Sequence, residues 1–280
     1  MGIDIAILVL VAAFLHAGWN ALVKTAEDRL MVLASIALIT SIAGALMIPH
    51  VAVPRPASWW AIGISTLLHY LYYWFLFQSY RFGDLSQIYP LARGVAPVLV
   101  AIGAVVVSGE TLSAWAIAGL AITSLGICSI AFFQDSALGR NPATLFFALG
   151  TGAVIAAYTV SDGVGVRLSG SPLGYIAWLF LFEFPVVLFA IARRRGRFAA
   201  FFRSDWRKAL GTGLSSLVAY GLVVYAVAFA PMAAVSALRE SSVIIAALIG
   251  TLILRESHGL QRFAAAVMVA SGVALITGTG

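Results

Sequence analysis

The sequence consists of ten stretches of about 20 mostly apolar residues, separated by short polar breaks. A helix of that length crosses the hydrocarbon core of a bilayer, so each stretch can form one transmembrane helix. Charged residues make up 10% of the chain, against roughly 25% in a soluble domain, which is too few to solvate a globular surface. The stretches also lack the alternating pattern of a transmembrane β-barrel. The sequence therefore predicts an all-α membrane protein with ten transmembrane helices. The predicted spans are residues 3–23, 30–49, 58–80, 85–108, 114–133, 143–162, 172–192, 209–229, 233–254 and 260–278.

The remaining counts exclude several classes of function. One cysteine, Cys128, cannot build a disulfide framework or a thiolate metal site. The net charge of +6 comes from residues in the breaks, without the interleaved aromatic residues of a nucleic-acid surface. The sequence contains neither HExxH nor GxSxG, two signatures of hydrolases. We therefore predict no enzyme activity, no cofactor and no nucleic-acid partner, and we expect the partners to be a small-molecule substrate and the lipid bilayer.

An internal repeat emerges when the charged residues are aligned. Arg93 lies 17 residues before Glu110, and Arg239 lies 17 residues before Glu256, so the two pairs share an offset of 146. Each copy then holds five spans, and because five is an odd number the second copy must insert in the opposite orientation. Inverted repeats are a transporter architecture in which the substrate site lies near the midplane between the two halves.

The distribution of basic residues predicts the orientation. Of the 17 Lys and Arg residues, thirteen lie in or at the edge of the breaks after odd-numbered spans, and only Arg55 and Arg167 lie in the breaks after even-numbered spans. The positive-inside rule then places both termini on the non-cytoplasmic side. The first stretch carries Asp4 and no basic residue before its apolar core, so we interpret it as the first span and not as a signal peptide.

Arg93 and Arg239 are the strongest candidates for substrate binding, because ionisable residues inside spans are costly and usually functional. Pro90 and Pro97 flank Arg93 and can interrupt its helix, which is tolerated where the backbone faces protein or a wet cavity. Either guanidinium could hold a carboxylate or a phosphate through two hydrogen bonds. The alternative is that a buried acid neutralises each arginine, and Glu240 is the obvious partner for Arg239.

Two acids are candidates for a proton relay, since an apolar environment favours the neutral form of a carboxyl group. Asp162 lies at the predicted end of the sixth span, and Glu183 lies in the middle of the seventh. The alternatives are that Asp162 is a polar residue at the membrane interface and that Glu183 is the buried partner of an arginine. Glu110 and Glu256 end their spans and are expected to be solvated.

Histidine and aromatic residues recur within several spans. Two histidines on separate spans lack the further ligands that a metal site needs, so no metal site is predicted. These side chains would instead line a substrate cavity or form hydrogen bonds between helices. The candidates for substrate contact are His16, Trp19, His69, Tyr73, Tyr89 and Tyr158.

Three segments resemble the EamA type of the drug/metabolite transporter superfamily. They are FLHAGWNALVK at 14–24, YPLARGVAPVLVAIGAVVVSGETLS at 89–113 and VSALRESSVIIAALIGTLILRES at 235–257. The resemblance implies two inverted five-helix repeats, residues 1–134 and 143–280. It also implies a central cavity lined by spans 1, 3, 4, 6, 8 and 9, on which Arg93 and Arg239 fall.

Transporters of this superfamily carry amino acids, nucleotide sugars, phosphorylated metabolites or cationic drugs. A carrier of cationic drugs would need acids in its cavity, whereas this sequence offers at least as many arginines. We therefore expect a bacterial inner-membrane secondary transporter that exports amino acids, aromatic ones included, with broad specificity and by alternating access. A monomer could perform this function. The alternatives are a carrier of phosphonates or other small anions and a lipid-head-group flippase.

Overall fold

The computed structural model describes residues 1–24, 28–82, 85–132, 142–194, 196–248 and 259–278. In these ranges the chain forms twelve α-helices, two short 3₁₀ helices (Ile48–His50 and Pro56–Ser58) and no β-strand. The α-helices are α1 (Ile3–Lys24), α2 (Arg29–Met47), α3 (Trp59–Phe82), α4 (Leu85–Ser108), α5 (Ala114–Phe132), α6 (Pro142–Ser169), α7 (Pro172–Leu181), α8 (Phe184–Arg193), α9 (Arg197–Phe229), α10 (Met232–Arg239), α11 (Ser241–Leu248) and α12 (Gly259–Gly278).

The helical class predicted from the sequence is confirmed. In the described part of the chain, seven helical segments are long and apolar enough to cross a membrane. Helices α1 to α5 begin and end within two residues of the first five predicted spans. The ends of these five helices could be predicted from the length of each apolar run, because a polar break follows each run directly. The count of ten spans stays a prediction.

Two helices extend well beyond their predicted spans. Helix α6 continues to Ser169, so Asp162, predicted at a span end, lies inside the helix. Helix α9 begins at Arg197, so most of the charged segment 193–208, predicted as a loop, is helical, with non-helical dihedral angles at Asp205. Arg, Lys and Ala are good helix formers, so charge marks the edge of the membrane without ending the helix.

Two predicted spans are each divided into two helices. The seventh breaks at Phe182 and Glu183, between α7 and α8, where Pro185 cannot donate to the carbonyl of Leu181 and its ring clashes with that carbonyl. The ninth breaks at Glu240, between α10 and α11. Its last residues, from 249 onward, lie outside the described residues. Two buried acids, Glu183 and Glu240, thus lie where a predicted span is interrupted.

Ion pairs join the loops at each end of the bundle. Glu110 contacts Arg167 at one end, and at the other end Nε of Arg194 lies 3.7 Å from Oδ2 of Asp28. Glu110 and Arg167 follow even-numbered spans, whereas Asp28 and Arg194 follow odd-numbered spans. Successive spans cross the membrane in opposite directions, so the breaks after even-numbered spans are expected at one end and those after odd-numbered spans at the other. We call the two ends the Glu110 end and the Arg194 end. The Glu110 end contains residues 48–58, 109–113, 170–171 and 230–231.

The largest hydrophobic cluster of the described residues fills the half of the bundle nearer the Glu110 end. It combines the first turns of α1 and α3, the second half of α4, and parts of α6, α7, α9 and α10. Its fully buried members include Val9, Ile62, Val100, Val166, Tyr175, Phe180 and Met232. This half is therefore densely packed.

Helices α5 and α12 pack closely against each other. A Cβ atom placed on Gly119 would lie 2.5 Å from the carbonyl oxygen of Gly272, and one placed on Gly272 would lie 2.5 Å from the carbonyl oxygen of Gly119. Only glycine permits this approach of the two backbones. The resemblance implied a cavity lined by spans 1, 3, 4, 6, 8 and 9, a set that does not include the fifth and tenth spans, which form α5 and α12.

Candidate functional site

A cavity of about 100 Å³ lies between the middle of the bundle and the Arg194 end. A buried water needs about 10–15 Å³ on this scale, so the cavity has room for several waters or for a small metabolite. Its walls come from α1, α2, α3, α4, α6 and α9, with one residue from α10. All eight side chains proposed from the sequence as substrate contacts lie on these walls. They are His16, Trp19, His69, Tyr73, Tyr89, Arg93, Tyr158 and Arg239.

Sequence reasoning missed several residues of the cavity. Ser216 and Tyr220 of α9 also line it, and they are four residues apart, which places them on one face of the helix. That spacing of two polar side chains in an apolar span was a signal that could have identified them. Helix α2 contributes Leu33 and Ile36, which no sequence feature distinguished from ordinary packing residues.

Arg93 is held by Glu240, which the sequence suggested as the partner of Arg239. Nε of Arg93 donates to Oε2 of Glu240 at 3.0 Å, and Nη2 lies 2.9 Å from Oε1. Nε of Arg239 lies 4.0 Å from the same Oε1. Consecutive residues of a helix point in different directions, so Glu240 lies closer to Arg93 than to its neighbour in sequence, Arg239. Glu240 thus joins α4 of the first half to the break in the ninth span.

Arg239 keeps unused hydrogen-bond donors at the cavity. Its side chain is 4% exposed, and within the described part of the chain Nε and Nη2 have no hydrogen-bond acceptor. Arg93 and Glu240 cancel each other's charge, so these three groups together carry one positive charge. Burying an unpaired charge is costly, and a ligand that brings one negative charge would remove this cost. The wall formed by these residues is therefore suited to an anion.

Aromatic rings form another wall of the cavity. The rings of His69 and Tyr158 stack with centroids 4.4 Å apart, and Tyr220 contacts His69 edge-on at 5.3 Å. Nδ1 of His69 lies 2.8 Å from the carbonyl oxygen of Ser65. A carbonyl can only accept, so Nδ1 carries a hydrogen and Nε2 is the nitrogen available to another group. The described residues contain no cluster of three or more His, Cys, Asp or Glu residues that could hold a metal ion.

Neither Asp162 nor Glu183 forms an ion pair with an arginine among the described residues. Asp162 is 1% exposed, and its oxygens accept hydrogen bonds from the hydroxyl groups of Tyr175, at 3.0 Å, and Tyr220. Glu183 accepts a hydrogen bond from the Thr40 hydroxyl at 2.8 Å. Asp162 therefore does not lie at a helix end, because α6 continues to Ser169, and an arginine partner for Glu183 is not found among the described residues. Asp162 is joined to the cavity, because Tyr220 lines it.

The Glu110 end is closed by a network that links the two halves. Nη2 of Arg167 lies 2.9 Å from Oε1 of Glu110, and the same oxygen accepts the backbone N–H of Met232 at 3.0 Å. Arg167 also donates to the carbonyl groups of Val227 and Ala230 at the end of α9. Glu110 thus caps the N-terminus of α10 and is not the solvated residue that we expected. Its equivalent, Glu256, lies outside the described residues.

Comparison with known proteins gives two findings. The sequence pattern described as the EamA-like transporter family matches residues 4–132 and 142–278. A solved structure described only as "Crystal structure of protein" superposes with a TM-score of 0.75, at 15% identity, over 98% of this chain and 96% of that chain. At that identity the likeness concerns the fold alone. No curated protein sequence matches the chain.

Proposed function

The chain belongs to the EamA-like transporter family, and on this premise we propose that it exports amino acids across the bacterial inner membrane by alternating access. Membership of the family makes it a multi-pass membrane transporter of a small molecule. The choice of amino acids is supported by the chemistry of the cavity. The two halves of the chain would insert in opposite orientations, with the cavity between them.

The observation that carries the proposal is the guanidinium of Arg239 on the cavity wall, whose Nε and Nη2 have no hydrogen-bond acceptor among the described residues. A substrate carboxylate placed there would accept charge-assisted hydrogen bonds and neutralise the positive charge left by Arg93, Arg239 and Glu240. The ammonium group of the same substrate would lie against the aromatic faces of Tyr158 and Tyr220, which attract cations. A zwitterion with an aromatic side chain could bind Arg239 through its carboxylate and the tyrosine rings through its ammonium group.

The shape of the bundle supports export. The Glu110 end is closed by the network of Arg167, and the largest hydrophobic cluster fills that half. The cavity lies in the other half, next to the breaks that carry most of the basic residues. If these breaks are cytoplasmic, the described conformation would load substrate from the cytoplasm, as an exporter must.

A carrier of phosphonates or other small anions is the second candidate, because arginine also binds phosphate-like groups. A dianionic phosphonate would bring two negative charges to a wall that carries one positive charge. The uncompensated charge would be costly in a site of low dielectric constant. The cavity therefore favours a single carboxylate.

Counterflow in proteoliposomes should separate these candidates. We expect labelled L-phenylalanine to accumulate in vesicles preloaded with unlabelled L-phenylalanine. Phenethylamine, which lacks the carboxylate, should compete about ten- to a hundredfold less well, because a hydrogen bond to a charged group contributes roughly 1.5–3 kcal/mol. The phosphonate analogue of phenylalanine should also compete weakly. Stronger competition by the phosphonate would favour the second candidate, and absence of counterflow with any amino acid would reject the first.

Cysteine labelling should establish the orientation. In a Cys128→Ala background, Arg203→Cys lies near the Arg194 end and Val53→Cys at the Glu110 end, and both native side chains are exposed. We expect an impermeant maleimide to label Val53→Cys in intact cells and Arg203→Cys only after the inner membrane is disrupted. The reverse pattern would show that the cavity of the described conformation faces outward.

A further inference from the structure

We propose that Asp162 is the proton-binding group of an amino acid/proton antiport, and that the Tyr220 hydroxyl links its protonation to the cavity. The inference rests on the proposed transport function, and it adds the coupling ion and the group that binds it. The path consists of one hydrogen bond, since Tyr220 both lines the cavity and donates to Oδ2 of Asp162.

The surroundings of Asp162 compensate its charge only in part. Its carboxylate accepts hydrogen bonds from the hydroxyl groups of Tyr175 and Tyr220, and the Ser65 hydroxyl also interacts with it. His69 lies close enough to act on the charge, but no Lys, Arg or His of the described residues forms an ion pair with Asp162. A buried ionised carboxylate without an ion-pair partner is costly, and neutral donors offset only part of the cost. Binding one proton removes the charge. The group can therefore change its protonation state when the local access of water changes.

The ionisable groups around Asp162 come from every helix packed on this part of α6. They are His69 of α3, Tyr158 of α6 itself, Tyr175 of α7, Glu183 at the break before α8, and Tyr220 of α9. The arginines of α4 and α10 lie at the cavity beside Tyr158.

Tyr175 is a fixed donor, and Tyr220 is the one that can change. Tyr175 is fully buried, and a Cβ atom on Gly165 would lie 2.6 Å from its hydroxyl oxygen, so the glycine permits the close contact that holds this ring. Tyr220 instead lines the cavity, so a substrate bound there would lie beside this ring.

Protonation of Asp162 would reverse the hydrogen bond to Tyr220. The ionised carboxylate accepts from both phenols, which leaves the lone pairs of the Tyr220 oxygen directed to the cavity, where they can accept from a substrate ammonium group. The protonated carboxyl has one O–H to donate. If the Tyr220 oxygen accepts a hydrogen bond from this O–H, the hydroxyl hydrogen of Tyr220 points into the cavity, where its partial positive charge repels the substrate ammonium group. One proton bound therefore disfavours one substrate molecule bound, which is the requirement for antiport.

Glu183 is the other candidate from the sequence, and the geometry disfavours it. Its hydrogen-bond donor is Thr40, which does not line the cavity. Its charge acts on His69 and Tyr73 of the cavity wall, but no hydrogen bond among the described residues connects Glu183 to the cavity. Glu183→Gln is therefore a matched control for Asp162→Asn, because each variant replaces one buried carboxyl by an amide of the same size.

The test compares two measurements on L-phenylalanine in proteoliposomes: counterflow without a gradient, and uphill accumulation driven by a pH gradient. For the parent protein and for Glu183→Gln we expect accumulation to rise up to about tenfold per pH unit, the limit for exchange of one proton. In Asp162→Asn, and in Tyr220→Phe, we expect the ratio of gradient-driven accumulation to counterflow to fall about tenfold.

The possible outcomes separate this inference from the proposed function. Lack of counterflow in the parent protein would reject amino acid transport, whereas counterflow without any response to the gradient would reject only the proton site. A normal response in Asp162→Asn would also overturn it. If Asp162→Asn does not fold, proton release on L-phenylalanine binding to the detergent-solubilised protein decides: the parent should release protons and Tyr220→Phe should release at least severalfold fewer. Equal release from both would contradict the proposal.

Discussion

Replacement of Arg239 by alanine is expected to lower the affinity for L-phenylalanine about ten- to a hundredfold without unfolding the protein. The guanidinium would otherwise hold the substrate carboxylate through charge-assisted hydrogen bonds, which contribute roughly 1.5–3 kcal/mol. Its removal leaves Arg93 and Glu240 as a neutral pair, so no buried charge is stranded. Arg239→Lys should retain part of the affinity, because it keeps the charge and loses the planar fork.

The measurement is the half-saturation concentration of L-phenylalanine counterflow, taken together with the thermal unfolding temperature in detergent. Arg203→Ala is the control, since it removes an arginine from an exposed position near the Arg194 end. The control should change neither quantity. Unaltered half-saturation in a folded Arg239→Ala protein would show that this arginine does not bind the substrate.

Most of the helices could be predicted, because a transmembrane helix is determined by a continuous apolar run in its own sequence that is long enough to cross the bilayer. The span in α4 was predicted from 85 to 108 and the helix is Leu85–Ser108, since an apolar run of fixed length ends at a polar break. The start of α9 could not be predicted in the same way. Its first residues are charged, so hydropathy ends the span there, whereas their backbone stays helical.

The identity of the cavity residues was also accessible from the sequence. Polar and ionisable side chains are costly in a bilayer, so those that persist inside spans face a cavity or a partner. Arg93, Arg239 and His69 were found for this reason, and all three lie on the cavity. Tyr220 was missed because a single tyrosine in an apolar span is less conspicuous than an ionisable residue, and its signal was the four-residue spacing from Ser216.

The pairing of the charges could not be predicted. Glu240 follows Arg239 in the sequence but binds Arg93, which is 147 positions away, because α4 and α10 meet near the middle of the bundle. Pairing depends on the direction in which each side chain leaves its helix and on which helices are neighbours. The sequence pattern alone determines neither the side-chain directions nor which helices are neighbours. The role expected for each arginine depended on which of them pairs with Glu240.

Replacement of Arg93 by alanine is therefore expected to destabilise the protein by up to about 3–5 kcal/mol, because the buried Glu240 carboxylate then loses its hydrogen-bonded partner and keeps only Arg239, whose Nε lies 4.0 Å away. Glu240 is fully buried and Arg93 is 3% exposed, so neither charge has water as a substitute. A double variant, Arg93→Met with Glu240→Leu, removes both charges and should recover most of the loss. The measurement is the free energy of unfolding in detergent, or the thermal unfolding temperature with the same ranking of variants.

The two arginines are distinguished by comparing stability with transport. If Arg93 is the partner of Glu240 and Arg239 is the anchor, the double variant should be stable and should still bind L-phenylalanine through Arg239. Arg239→Ala should show the opposite combination, normal stability with weak binding. A stable Arg93→Ala protein that has lost binding would reverse the assignment. Glu240 would then be a competitor that the substrate carboxylate displaces from Arg93, and the positive charge on Arg239 would serve to weaken that internal pair.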